Sequence, residues 1–163
     1  MLELKVEKLT KVDTPKKAFP TDAGIDFYIP NSIKYVQKNG KNINIDLDKE
    51  GKHAIVIYPN ESCLIPMGVK LEFNKDYALV FFNRSGIATK KHLLRGACIV
   101  DSSYRGELFL NLNNVSKETQ YIYPNDKIIQ GLLLPVPEVK IKKGKVNIET
   151  DRGEGGFGST DKK

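Results

Sequence analysis

The chain has 163 residues, a formal net charge of +6 and a pI near 9.2, and 40% of its residues are hydrophobic. That length suffices for one domain with a core of its own. It contains no apolar window of about 18 residues, which argues against a membrane-spanning helix. Its first ten residues alternate apolar and charged side chains, a pattern that is not typical of a signal peptide.

A basic surface suits nucleic acid, a membrane surface or a polyanionic small molecule. Apart from a cluster over 140–145, the lysines are spread along the chain, and no nucleic-acid-binding motif is visible, so nucleic acid is the weaker prediction. Cys63 and Cys98 lie among apolar residues and predict buried free thiols in an intracellular, cytoplasmic protein. A nuclear or viral setting is left open. Two His and two Cys far apart in sequence do not favour a zinc site.

The first half of the chain reads as short strands separated by turns. Period-two alternation over 2–7 predicts a half-exposed strand, and a short strand carrying Asp26 follows a small-residue segment. Asn39-Gly40-Lys41-Asn42 predicts a hairpin turn. The remaining predicted strands of this half are 33–36, 43–47, 53–58, a pair over 63–73 bent at Pro66, and the fully apolar 77–82.

Ser85-Gly86 followed by Ile-Ala-Thr predicts one short helix. Strands are predicted over 93–100, 107–112, 119–123 and 127–136, and residues 139–148 alternate again. Many short strands with regular turns indicate an all-β barrel or sandwich. We therefore predict one domain over 1–150 and, because 151–163 is Gly-rich and nearly devoid of apolar residues, a flexible C-terminal arm.

One stretch, residues 98–107, combines three apolar residues with a carboxylate, a polar turn and a tyrosine. Asp101 comes directly after a predicted strand, which is a usual position for a general base because the strand is rigid and its end is wet. The alternative is a hairpin whose turn is built from Asp101 and two serines. On this stretch alone both interpretations stay open.

Three further sets of residues predict binding of a charged ligand. Arg84 and Ser85 before a helix form an anion site, or else a solvated Arg with an N-cap Ser. Asp26 and Gln130 lie in strands and either face solvent or meet where a hydrated Mg²⁺ would be held. In the arm, glycines allow close approach to phosphates, Arg152 can fork onto a phosphate, and Phe157 can stack on a base; a disordered chain end is the alternative.

Taken together, these motifs resemble the homotrimeric dUTPase family, the deoxyuridine triphosphate nucleotidohydrolases. The resemblance covers residues 22–160 and includes all five family motifs in family order. They lie at 23–27, 84–88, 98–107, 125–130 and 152–160. One such motif is weak, whereas five in register are highly specific.

The resemblance implies a jelly-roll-like distorted β-barrel, a homotrimer with active sites shared between subunits, Mg²⁺ as cofactor, and dUTP as substrate. Water attacks the α-phosphorus and pyrophosphate leaves, which yields dUMP for dTMP synthesis. Asp101 is implied as the residue that orients and deprotonates this water, and Tyr104 as the residue that excludes a ribose. The implied binding residues are Ile99, Val100 and Phe109 for uracil; Arg84, Ser85, Gly86 and Gln130 for phosphates; Arg152, Phe157, Gly158, Ser159 and Thr160 in the arm; and Asp26, Gln130 and Asp22 for Mg²⁺ through water.

The chain departs from the family pattern at Ser103, Cys98 and Arg95, and the last two put the local uracil contacts in doubt. Residues 31–52 are longer than the family needs and predict an extra surface hairpin. Two alternatives are kept: a relative of the dCTP deaminase type, and a nucleotide-sensing regulator that binds a partner protein through that hairpin.

Overall fold

The computed structural model describes residues 2–155, and this part of the chain is almost entirely β-structure with one short helix. The elements are β1 Leu4–Lys8, β2 Ile25–Tyr28, β3 Tyr35–Lys38, β4 Lys41–Asn44, β5 Asp46–Leu47, β6 His53–Ile57, β7 Ser62–Pro66, β8 Val69–Phe73, β9 Tyr77–Asn83, α1 Ser85–Lys90, β10 Leu93–Arg95, β11 Ile99–Val100, β12 Phe109–Asn114, β13 Gln120–Ile122 and β14 Lys127–Pro135. The predicted fold class and the single helix are confirmed. The helix has six residues and is too short and polar to cross a membrane.

Every strand pairing in the described chain is antiparallel. The two larger sheets have the orders β10-β12-β7-β3-β4 and β11-β9-β14-β2, and two smaller sheets pair β1 with β8 and β13 with β6 and β5. Sequence neighbours therefore separate repeatedly into different sheets. This is the arrangement expected of a jelly-roll-like barrel.

The core is formed by buried side chains from all four sheets, including those of β6, β8 and β13 in the two smaller ones. Phe27 and Phe81 meet edge to face, with ring centroids 5.1 Å apart, and both are about 1% exposed. Ile65, Leu110 and Leu112 come from the other large sheet and are fully buried. Gly131 lies where a Cβ atom would approach Leu79 Cδ1 to 2.8 Å, so the core has no room for a side chain there.

The hairpin predicted within 31–52 forms, with a tighter turn than expected. Asn39 and Gly40 both have positive φ, 51° and 74°, which gives a two-residue turn between β3 and β4. The single strand predicted over 43–47 is wrong: β4 and β5 belong to different sheets. The Ile45 N–H donates to the Lys34 carbonyl, and Asp46 then pairs with Ala54 of β6.

The strand pair predicted over 63–73 forms as β7 and β8, but its break lies at Gly68 (φ 66°) rather than at Pro66, and the two strands belong to different sheets. A Cβ on Gly68 would lie 2.5 Å from the Thr10 Cγ2 atom, so both its conformation and its surroundings favour glycine. The stretch 93–100 likewise divides into β10 and β11. A continuous apolar run cannot reveal such divisions, because the partner strands are distant in sequence.

The alternating segment 139–148 forms no strand in the described chain, and Val139, Ile141 and Val146 are highly exposed. An alternating segment becomes a strand only where it can pair with the edge of a sheet, and within residues 2–155 this segment pairs with no other strand.

Candidate active site

A pocket of about 460 Å³ lies where β2, β14 and the start of α1 meet. It gathers predicted residues from three separate motifs: its wall is formed by Ala18, Asp22, Ala23, Gly24, Asp26, Arg84, Ser85, Gly86 and Gln130. Residues that are more than 100 positions apart in sequence thus share one wall, because β14 lies between β2 and β9 in the sheet.

The register of this sheet places the polar side chains of the pocket. Gln130 on β14 stands opposite Asp26 on β2 and Phe82 on β9. Its amide Nε2 donates to the Asn83 carbonyl at 2.9 Å, which ties the two strands together where α1 begins. A Cβ on Gly24 would lie 2.4 Å from Gln130 Oε1, so a side chain there would displace the Gln130 amide.

The pocket wall contains a buried carboxylate that is paired with two cations. Asp26 is 7% exposed and forms ion pairs with Arg84 Nε at 3.0 Å and with Lys127 Nζ at 3.2 Å. Lys127 offsets the charge of Asp26, so the positive charge of Arg84 remains on a wall that also holds the Asp22 carboxylate, and a guanidinium in this position suits a phosphorylated ligand. Lys127 is a site residue that the sequence reasoning missed. Its place in the fourth motif was the available signal, but only the register shows its partner.

Helix α1 begins one residue earlier than an N-cap Ser85 requires. Arg84 is the N-cap, with extended backbone and no side-chain cap, and its carbonyl accepts from the N–H groups of Ile87 and Ala88. Ser85 is the first helical residue, so its predicted alternative role as N-cap is wrong. The N–H groups of Ser85 and Gly86, in the first turn, have no intrahelical acceptor and border the pocket.

Asp101 lies on a different part of the surface, in a turn that is held by its own hydrogen bonds. The Tyr104 N–H donates to the Asp101 carbonyl at 3.0 Å, and the Tyr104 hydroxyl donates to the Glu107 carbonyl at 2.8 Å. The Arg105 guanidinium donates to the carbonyls of Ser102 and Tyr104. Asp101 is exposed and Tyr104 is 46% exposed, so the carboxylate and the ring are both accessible while the backbone below them is fixed.

A single chain does not bring this turn to the pocket. Val100 pairs with Leu79 on β9, and Arg84 follows the end of β9, five residues after Leu79. At about 3.4 Å per residue that separation is about 17 Å, and Asp101 continues away from Arg84 because the strands are antiparallel. A general base and the residues that bind the phosphates must both contact the same substrate molecule, and a separation of this size does not allow that within one chain.

The predicted uracil residues lie beside this turn but in different sheets. Ile99 on β11 is 66% exposed, and Phe109 on β12 is half-buried. The alternative prediction, a hairpin whose turn is built from Asp101 and two serines, is wrong in its pairing, because β11 pairs with β9 whereas β12 pairs with β10 and β7. Arg95, at one of the departures from the family pattern, has its guanidinium 5.5 Å from the centre of the Phe82 ring.

Both cysteines are free thiols, as predicted, but only Cys63 is buried; Cys98 is half-buried. Burial raises the pKa of the Cys63 thiol to about 12. A thiol that stays protonated is a poor nucleophile.

Arg152 is exposed, and its Nε donates to the Gly155 carbonyl at 2.8 Å within a local turn; Arg152 does not line the pocket. The other arm residues with predicted roles, Phe157, Gly158, Ser159 and Thr160, lie outside the described residues.

The fold and these surfaces define an all-β protein with a polar pocket in which Arg84 suits a phosphorylated ligand. Comparisons with known proteins point to one family. A family model described as dUTPase matches residues 45–161. The deoxyuridine 5'-triphosphate nucleotidohydrolase of Anaplasma marginale is 30% identical over 98% of this chain and 99% of its own length. That of Neisseria meningitidis serogroup A is 34% identical over 74% of this chain and 80% of its own length.

The solved structure of a G164S mutant of the Staphylococcus bacteriophage 80alpha dUTPase with dUpNHpp has a TM-score of 0.76 at 21% identity, and the match covers 97% of this chain and 98% of that chain. A dUTPase structure from phage phi11 of S. aureus, described as revealing the coordination of a structural Mg(II) ion, has a TM-score of 0.69 at 20% identity and covers 91% of this chain and 99% of its own. These two likenesses concern the fold. The family match and the relatives together show that the chain belongs to the dUTPase family.

Proposed function

We propose that the chain hydrolyses dUTP to dUMP and pyrophosphate in active sites that are completed between copies of a homotrimer. The observation that carries this proposal is the separation of Asp101 from the pocket beside Arg84, together with family membership. Each chain holds both halves of a site, but too far apart to act on one substrate. A neighbouring copy would supply the missing half to each, as closed rotational symmetry allows.

The outer face of the four-stranded sheet supports association of the chains. Leu79 and Phe81 of β9 point into the core, so Val80 and Phe82 point outward. Ile99 and Leu132 stand opposite Val80 and share this outer face. An extended apolar sheet face of this kind is typical of a surface that another protein covers. We assign it to other copies of the same chain, since the site itself needs a second copy.

In the proposed mechanism, a water molecule attacks the α-phosphorus in line through its oxygen, and Asp101 accepts a proton from this water. The bond from the α-phosphorus to the bridging oxygen breaks, and pyrophosphate leaves. Tyr104 lies against the deoxyribose where a 2′-hydroxyl would collide, and the backbone from Ile99 to Asp101, with Phe109, pairs with the uracil edge. No covalent intermediate is needed, which agrees with the protonated Cys63.

The phosphates are proposed to occupy the pocket lined by Arg84, Ser85, Gly86 and Gln130. Donors that are fixed before the substrate arrives stabilise the charge that develops on the phosphates without further reorganisation. In the arm, Arg152 would hold the γ-phosphate, Phe157 would cover the uracil, and the following hydroxyls would complete the phosphate shell. These arm contacts are predictions from the motif.

Mg²⁺ is proposed as the cofactor, and the donor set fits an ion held mainly by the substrate. Within residues 2–155 no group of three or more His, Cys, Asp or Glu side chains could hold a metal directly. Mg²⁺ retains several waters and often binds through substrate phosphates. When bound, it would neutralise phosphate charge, and Asp22, Asp26 and Gln130 on the pocket wall would meet its waters. Asp22 also accepts the Phe19 N–H at 2.9 Å, which holds the 19–22 turn.

The family match and the names of the relatives do not favour a dCTP deaminase-type relative or a purely regulatory role. A partner protein bound through 31–52 stays a prediction. Recovery of a partner that is unchanged by deletion of the hairpin would contradict it. An intracellular, cytoplasmic location is supported by two free thiols, which persist in reducing compartments.

The activity is tested by pyrophosphate release from dUTP, dCTP, dTTP and UTP, with Mg²⁺ and with a chelator. We expect release from dUTP only, lost on chelation. Release from dCTP, or none at all, would refute the assignment.

Shared sites are tested by complementation. Asp101→Asn and Arg84→Met chains, each inactive alone, are co-expressed, and random mixing should restore about a quarter of the parental sites. Sites built within one chain would restore nothing.

A further inference from the structure

The carboxylate of Asp26 is held between two cations of different kinds. Arg84 Nε lies 3.0 Å from one oxygen and Lys127 Nζ lies 3.2 Å from the other. The Asp26 side chain is 10% exposed, whereas those of Arg84 and Lys127 are 34% and 37% exposed. A carboxylate this buried requires paired cations, and here both of its oxygens are engaged.

Lys127 interacts with Arg84 in two ways, through Asp26 and by a direct hydrogen bond. Its ammonium contacts Asp26, which contacts Arg84, and its carbonyl oxygen accepts directly from Arg84 Nη1 at 2.9 Å. Two anchors on a planar guanidinium fix the plane of the group, and its remaining N–H groups stay available for a ligand. Asp26 and Arg84 line the pocket; Lys127 is not among the described residues that do so. It therefore acts on the pocket through its partners.

The sheet fixes the position of Lys127 itself. Lys127 stands opposite Tyr28 of β2 at an irregularity in the register, and its ammonium lies 5.8 Å from the centre of the Tyr28 ring. Tyr28 is 4% exposed, so this ring offers a rigid surface to the cation. The lysine thus has three anchors within one small region.

Charge arithmetic gives the trio a function. Arg84 and Asp26 alone would form a neutral pair with little attraction for a phosphate. The charge of Lys127 balances that of Asp26, so the carboxylate that orients Arg84 does not cancel its positive charge. Without Lys127, the carboxylates of Asp26 and Asp22 on the wall would outnumber Arg84.

We infer that Lys127 and Asp26 are positioning residues of the phosphate site: together they orient Arg84 and preserve its positive charge for the triphosphate of the substrate. This inference rests on the proposed function and gives Asp26 a role that needs no metal. It also makes Lys127 a determinant of triphosphate affinity although it need not touch the substrate.

The test compares parent, Lys127→Met, Lys127→Arg and Asp26→Asn in two assays: binding of the imido analogue dUpNHpp, and steady-state hydrolysis of dUTP over a range of Mg²⁺ concentrations. Lys52→Met is the matched control, since it removes a surface lysine that pairs only with exposed Glu50. Circular dichroism and thermal melting check that each variant is folded.

We expect Lys127→Met to raise the Kd for the analogue and the KM for dUTP about tenfold, with Lys127→Arg within about twofold of the parent. Asp26→Asn should mainly lower kcat, about tenfold, because the trio gains positive charge while Arg84 loses its orientation. The Mg²⁺ concentration for half-maximal rate should stay unchanged in Lys127→Met, and Lys52→Met should match the parent.

Unaltered kinetics and binding in Lys127→Met would overturn the inference while leaving the proposed function intact. So would an Asp26→Asn chain whose only defect is a higher Mg²⁺ requirement, since that result assigns the carboxylate to the metal. A parent chain that neither binds the analogue nor hydrolyses dUTP would refute the proposed function and the inference together.

Discussion

Gly106→Ala should weaken the discrimination between dUTP and UTP while the chain remains folded. A Cβ at this position would lie 2.4 Å from the Tyr104 hydroxyl oxygen and 2.6 Å from Cζ. The ring must therefore move and lose its hydrogen bond to the Glu107 carbonyl, which is 2.8 Å long. Tyr104 is 46% exposed and can turn into solvent, so the core is not disturbed.

The lost hydrogen bond sets the size of the effect. An intramolecular hydrogen bond contributes about 1 kcal/mol, and about 1.4 kcal/mol corresponds to a factor of ten. If this bond is what holds the ring over the deoxyribose, then the ratio of kcat/KM for dUTP to that for UTP should fall about fivefold. Stability should fall by about 1 kcal/mol or less.

The assay is pyrophosphate release from both nucleotides by three variants. Tyr104→Phe keeps the ring and removes the bond, and should reproduce most of the loss. Gly144→Ala is the control, because a Cβ there meets nothing within 4 Å and its φ is not positive. A Gly106→Ala chain with the parental ratio would refute the role of the Tyr104 hydroxyl in holding the ring.

Five further outcomes are expected. Asp101→Asn should lower kcat about 10²- to 10⁴-fold while dUpNHpp still binds, because only the proton acceptor is lost. Truncation after Thr150 should leave a folded trimer with little activity, since residues 151–154 are exposed and outside the core. Gly131→Ala should lower the free energy of unfolding in urea by about 1–3 kcal/mol, because its Cβ would meet rigid core atoms. At pH 8 a thiol reagent should modify Cys98 and leave Cys63 unmodified until the chain unfolds. Since the pKa of Cys63 rises from 9.0 to about 12 on folding, its contribution to stability is complete below pH 9 and is lost as the pH approaches 12; Cys63→Ala should remove that part of the alkaline loss.

Specific results would contradict these predictions. Loss of analogue binding in Asp101→Asn, but not in the exposed control Asp13→Asn, would assign Asp101 to binding. A truncated chain with the full rate would remove the arm from the mechanism. Equal urea midpoints for Gly131→Ala and Gly144→Ala would contradict the close packing, and rapid labelling of both thiols would contradict the burial of Cys63.

The sequence alone determined the class of the fold, most strand positions and the family. These follow from local signals: period-two alternation, turn residues such as Asn39-Gly40, and five motifs whose order along the chain is itself specific. The short helix after Arg84 was also readable, because Ser-Gly-Ile-Ala-Thr interrupts a series of strands with residues that suit a helix.

Only the tertiary structure decided which strands are partners and which side chains meet. Residues 43–47, 63–73 and 93–100 each divide between two sheets, because a strand is defined by a partner that is distant in sequence. The contact of Lys127 with Asp26 depends on the register between β14 and β2. The distance between Asp101 and Arg84 depends on the antiparallel pairing of β11 with β9, because the two residues follow the ends of strands that run in opposite directions. Such pairings arise from long-range packing, which neither the composition nor the spacing of one segment encodes.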